Sequence, residues 1–139
     1  MKRILAVIFL SVVSVASFAT DMILPITGVV DGDTIKGQLS LPCPLCSISI
    51  RVRGIDTPES TYLAKCAKEK DLGHKATDYV KQLISSHEIM TVKDVKWDKY
   101  GGRIDGYVVV DGIDIGATLI EKGLARPYTG EGPKPNWCN

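Results

Sequence analysis

In the run VVDGDTI, residues 29–35, Asp31 and Asp33 flank a single glycine; further on, RVRGIDTPES has the same character, with Asp56 and Glu59 behind strand-like residues. Like charges held this close raise each other's pKa, so their crowding makes sense only if something positive sits among them. The set offers oxygen alone, with no histidine near it in sequence, which suits a hard divalent cation such as Ca²⁺ or Mg²⁺. Singly, each motif has a plainer reading: Asp-Gly is a common turn dipeptide, and Thr57-Pro58-Glu59 could open an ordinary loop or a helix. Arg51 and Arg53 change that balance. Carboxylates for a cation, guanidinium groups for a phosphate and a spare carboxylate to act on water are the parts of a metal-assisted phosphodiester cleavage site. A third piece, WDKYGGR, carries Lys99, Tyr100 and Arg103 in a glycine-bearing turn, whose plain reading is a solvated hairpin tip.

The elements that must position these groups follow from periodicity. Residues 22–30 are largely apolar or β-branched, and TIKGQL continues after the DGD bend as a second strand. SISIRVRGI alternates, with Ile48, Ile50 and Val52 on one parity and Arg51 and Arg53 together on the other, as in a half-buried strand. From Ala67 to Ser86, Leu72, Ala76, Tyr79, Val80 and Leu83 fall at helical spacing. HEIMTVKDV and RIDGYVVVDG read as strands, and DIGATLIEKGLA as a short helix with Ile115, Leu119 and Ile120 inward. The tail RPYTGEGPKPNWCN is rich in glycine and proline, so it should be irregular and held by Tyr128, Trp137 or Cys138. Three strands, a helix, two strands and a helix predict an α+β, mainly β domain: a five-stranded Greek-key barrel of the OB type with two packed helices. An open α+β sheet fits the same order.

Residues 1–19 carry Lys2 and Arg3, an apolar stretch and a small-residue ending, the pattern of a cleaved signal peptide. Residues 20–139 then form a single domain, exported to the periplasm or medium and not retained in the membrane. Removing Lys2 and Arg3 turns the formal charge from +1 to −1. That excludes a sequence-independent coater of nucleic acid, which would carry a basic excess. Four cysteines in an exported chain favour disulfides; Cys66 with Cys138 and Cys43 with Cys46 is the expected pairing. A redox or zinc role for CPLC is disfavoured, because that segment runs into a strand and no histidine is spaced with it. Nothing in the sequence argues for an oligomer, so a monomer is expected.

VVDGDTI, IRVRGIDTPES, DKYGGRIDGYVVVDG and LIEKGLARPY occur in an order and spacing that resembles the thermonuclease family, the secreted staphylococcal-nuclease-like enzymes. The resemblance runs from about residue 26 to Tyr128. It implies an OB-fold barrel and Ca²⁺-dependent hydrolysis of DNA and RNA to products with 3′-phosphates. By resemblance, Asp33 and Asp56 bind calcium with the backbone carbonyl of Thr57, and Asp31 supports them from behind. Glu59 matches the general base, and Arg51 and Arg103 the arginines that hold the scissile phosphate. Lys99 and Tyr100 resemble residues that contact the nucleotide's terminal phosphate, and Tyr128 joins them as a substrate-binding candidate. Two glycines precede Arg103 where the family's best-known member has one, which bears on that arginine's reach. After Tyr128 the residues show no helical pattern, where that relative has a long helix.

Two other classes compete. A noncatalytic barrel that grips nucleic acid would use Trp97, Tyr100, Tyr107 or Tyr128 as stacking platforms, but it would not need the three acids and both arginines together. An aspartyl-nucleophile phosphatase would use D-G-D-T, but it requires a doubly wound sheet that this strand order does not supply.

Overall fold

The computed structural model describes residues 20–40 and 46–139. The leader, residues 1–19, and Cys43 lie outside the described residues. The strands are β1 (Met22–Asp31), β2 (Thr34–Gln38), β3 (Ser47–Val52), β4 (Ile55–Asp56), β5 (Ile89–Trp97), β6 (Arg103–Val110), β7 (Ile113–Asp114) and β8 (Arg126–Pro127). The helices are α1 (Ala67–Ile84) and α2 (Ile115–Glu121). β3, β2, β1, β5 and β6 pair in that order, and a parallel β3–β6 pairing closes them into a five-stranded barrel. A closed barrel has no unpaired edge, so the α+β, OB-type expectation holds and the open sheet does not. β4 and β8 form a separate short ladder beside it.

Alternation sets the interior. Ile35, Ile48, Ile50, Val52, Met90, Val92, Ile104, Val108 and Val110 turn inward and form the core with Val80 and Ile84 of α1 and Ile115 and Leu119 of α2. Each such side chain contributes roughly 1.5–3 kcal/mol by leaving water. The opposite parity faces outward and carries Arg51, Arg53 and Arg103. Ile120, expected inward, is exposed: α2 has only two turns, and Gly116 and Leu119 fill the stripe against the barrel.

Two close approaches tie α1 to the loops that carry the candidate carboxylates. A Cβ at Gly32 would lie 2.8 Å from Ala76 Cβ and 3.0 Å from Thr57 Cγ2. One at Gly73 would lie 2.6 Å from the carbonyl of Glu59. The DGD bend and the Thr57–Glu59 segment therefore lie against the helix at backbone distance. Cys66 caps α1, its sulfur accepting from Glu69 N–H, and is disulfide-bonded to Cys138. Cys46 is disulfide-bonded as well. Among the described residues, no helix is long and apolar enough to cross a membrane.

Candidate active site

The site grows from the ends of β1, β3 and β4. The β1–β2 register shifts between Val29 and Asp31, so that Asp31 opposes Thr34 across a tight Gly32-Asp33 turn. This bend places the Asp33 carboxylate inward, 2 % exposed, while Asp31 Oδ1 accepts the Asp33 N–H at 3.1 Å. Thr57 donates both its N–H (3.1 Å) and its hydroxyl (3.0 Å) to Asp33 Oδ2. Thr34 Oγ1 donates to Asp33 Oδ1 at 3.2 Å, and Arg51 Nη1 also bonds that oxygen. Burial pushes the Asp33 pKa up to about 6 against the pull of Arg51, and the Asp31 charge adds to the rise.

Asp56, on β4, is 1 % exposed. Trp137 Nε1 donates to its Oδ2 at 3.3 Å. Its other oxygen, Oδ1, is the one buried side-chain oxygen or nitrogen among the described residues without a hydrogen bond. Two cations face that oxygen as ion pairs, Lys134 Nζ at 3.1 Å and Arg51 Nη2 at 3.7 Å. Lys134 Nζ also meets Glu59 Oε1 at 3.0 Å. Burial alone would lower the Lys134 pKa, but the Glu59 and Asp56 carboxylates outweigh it and hold it above the ordinary lysine value.

Arg51 and Arg103 lie on one face because the parallel ladder sets Ser49 opposite Arg103 and Arg51 opposite Asp105. Both arginines, with Asp31, Glu59, Lys99, Tyr100, Tyr128 and Lys134, line a cleft of about 560 Å³, within the range of small-ligand sites. Arg103 is fixed by Asp98, whose Oδ2 accepts from Nε at 2.7 Å and forms an ion pair with Nη2 at 2.7 Å. Its guanidinium also sits 5.2 Å from the Tyr100 ring centroid. The extra glycine is absorbed in the hairpin, where Gly102 takes φ +79, and Arg103 still reaches the cleft. Arg53, on the same parity as Arg51, is committed elsewhere: Asp105 holds it through both oxygens and Asp94 adds an ion pair.

The structure thus brings Asp33, Asp56, Thr57 and Arg51 into direct contact and places Asp31, Glu59, Arg103, Lys99, Tyr100 and Tyr128 around them. Sequence reasoning missed three participants: Lys134, Asp98 and the contact of Trp137 with Asp56. Pairing Cys138 with Cys66, a few residues past Glu59, was the signal that could have brought the tail to this spot.

A family model for staphylococcal nuclease homologues matches residues 49–136. The chain belongs to that family. The matched span includes Arg51, Asp56, Thr57, Glu59, Arg103 and Lys134 and begins after Asp31 and Asp33, which the hydrogen bonds above join to the rest. Within curated proteins, the chain is 36% identical over 106 residues to "Endonuclease YhcR" of Bacillus subtilis (strain 168), covering 72% of this chain and 8% of that protein. It is 36% identical over 99 residues to "SPbeta prophage-derived endonuclease YokF" of the same organism, covering 70% of this chain and 31% of that one. "Endonuclease YncB", also from that organism, is 34% identical over 103 residues, covering 70% and 44%. The chain therefore spans less than half the length of each of these staphylococcal-nuclease-family relatives.

The donor set of this family member fits a hard cation. Carboxylates and a backbone carbonyl are the ligands such an ion takes, and Asp56 Oδ1 is a buried oxygen held by ion pairs alone, without a hydrogen bond.

Proposed function

We propose that the chain is a nuclease that hydrolyses phosphodiester bonds of DNA and RNA with Ca²⁺ as its metal, exported and acting as a monomer. One observation carries the reading: two buried carboxylates, Asp33 and Asp56, share Arg51, and Arg51 lines a cleft together with Glu59 and Arg103. Oxygen-only donors favour Ca²⁺ or Mg²⁺ over softer metals; the family resemblance favours Ca²⁺ and 3′-phosphate products. The leader pattern of residues 1–19 and the Cys66–Cys138 disulfide support export.

Asp33, Asp56 and the Thr57 carbonyl would hold the ion, which when bound supplies neutralisation and polarisation of the phosphate. Arg103, presented by Asp98, and Arg51 bind the nonbridging oxygens and stabilise the charge that grows on them. Glu59 orients a water and accepts its proton as the new P–O bond forms and the 5′ oxygen leaves. Lys99, Tyr100 and Tyr128 position the nucleotide. Each such electrostatic contact is worth on the order of 10²–10³ in rate.

The test is cleavage of single-stranded DNA by the purified protein with Ca²⁺ and with excess chelator, beside Asp33→Ala, Glu59→Gln and Arg51→Ala. Calcium-dependent cutting lost in Asp33→Ala is expected. Binding without cutting would make the chain a nucleic-acid-binding module. Undiminished cutting by Glu59→Gln or by Arg51→Ala would remove that residue from the mechanism.

A further inference from the structure

Lys134 lies on a strap fixed at both ends. At one end, Tyr128 N–H bonds the Gly54 carbonyl at 2.9 Å and its hydroxyl bonds the Gly132 carbonyl at 3.1 Å. At the other, Trp137 is buried, Arg126 sits 4.4 Å over its ring, and Cys138 is bonded to Cys66. Between them, residues 129–134 are exposed, with Gly130 and Gly132 at φ +91 and +76, a conformation glycine takes without strain. From this strap the Lys134 ammonium reaches in to Asp56 Oδ1 and Glu59 Oε1.

The Lys134 ammonium, 3.1 Å from Asp56 Oδ1 against 3.7 Å for Arg51, is the nearer of the two cations that face this buried oxygen. A divalent cation seeking the same oxygen meets a like charge at the same place. We propose that Lys134 is a built-in counter-ion of the site: it competes with the metal for Asp56, leaves as the metal binds, and is kept within reach by the Cys66–Cys138 bond. The proposal rests on Asp56 being a metal ligand, as read above. Arg51 is the less displaceable of the two cations, being half-buried on a barrel strand and bonded to the Ile55 carbonyl as well. Lys134 is nearly half exposed, so withdrawal leaves its charge in water at little cost. Tethering makes the competition intramolecular, so it persists at any protein concentration, and by linkage metal binding must loosen the strap as much as the strap weakens metal binding.

Calcium titration by calorimetry tests this, using the intact protein, Lys134→Met, Lys134→Arg, Asp56→Ala and the Cys66→Ser/Cys138→Ser double variant. Serine is itself a good helix cap, so the double variant keeps the start of α1. Losing two partly exposed ion pairs corresponds to about three- to tenfold tighter binding in Lys134→Met, with Lys134→Arg near the wild type. The double variant should shift the same way as Lys134→Met. Metal-free Lys134→Met should melt below the wild type, and saturating Ca²⁺ should erase the difference. Unchanged or weaker binding by Lys134→Met, while the wild type binds and Asp56→Ala does not, would overturn the proposal alone. No binding by any form, or undiminished binding by Asp56→Ala, would overturn the metal reading and the proposal with it.

Discussion

Gly73→Ala isolates position from chemistry, because it adds one methyl group behind the proposed base without touching its carboxylate. The added Cβ would lie 2.6 Å from both Glu59 C and O and 2.7 Å from Pro58 O. These are backbone atoms, which cannot rotate aside as a side-chain tip would. Reaching ordinary contact at 3.4 Å requires the helix and the Pro58–Glu59 segment to separate by about 0.8 Å. For stability the terms oppose: alanine favours the helix by about 1 kcal/mol, and overpacking costs about 1–3 kcal/mol. The net loss of about 0–2 kcal/mol lowers Tm by a few degrees. Activity has no such offset, since a displacement near 1 Å at a reacting group costs up to about 10²-fold. We expect kcat to fall roughly 10- to 100-fold with the far-UV spectrum and melting cooperativity intact, while Gly101→Ala, into open space, leaves kcat unchanged. Steady-state cleavage of a defined oligonucleotide beside a melting curve is the assay. A Gly73→Ala protein with full kcat would refute the reasoning, showing either that the loop yields freely or that Glu59 needs no fixed place.

Asp98→Ala removes the carboxylate that holds Arg103; cleavage should fall about tenfold, Asp98→Glu should restore part of it, and Tm should move little, whereas an unchanged or higher rate would make Asp98 a competitor of the phosphate. Asp33 carries a native pKa of about 6 against 3.8 in the unfolded chain, so the native state binds the proton more tightly and metal-free stability should fall as pH rises from about 4 to 6, then level off. The span is on the order of 3 kcal/mol. Urea midpoints of the wild type measured against Asp33→Asn should diverge over that range, and parallel curves would refute it; added Ca²⁺, which needs the carboxylate, should bind more weakly below about pH 6. Reducing the Cys66–Cys138 bond, which spans 72 residues, should lower stability by about 2–4 kcal/mol in denaturant titrations, and no loss would mean that the strap is held by Trp137 alone.

Period-two alternation made the barrel strands legible, since Ile48, Ile50 and Val52 can face only one way if the strand is half-buried. The same parity put Arg51 and Arg53 on one face but could not separate their fates. That was decided by Asp105 and Asp94, which lie on β6 and at a bulge of β5 where Asp94 takes φ +50. The two-residue strands β4, β7 and β8 are too short for any period to show. In α2, Ile120 was misplaced because two turns leave room for only one inward stripe and glycine can fill it.

The carboxylates of the site were legible because chemistry restricts them to a few residue types at bends. The charges that answer them were less so, because an ammonium needs only to arrive, from any distance along the chain. Lys134 and Glu59 are 75 residues apart, and GEGPKPNWCN has no pattern that points inward. What brings them together is covalent: a disulfide to the cap of α1 draws the tail over Asp56, and Trp137 then seals one oxygen of that carboxylate while Lys134 faces the other. Burying Asp56 with only Arg51 nearby would leave much of its charge uncompensated. The strap therefore does for the metal-free fold what the cation would do for the loaded one, and this is why a segment with no secondary structure of its own belongs to the site.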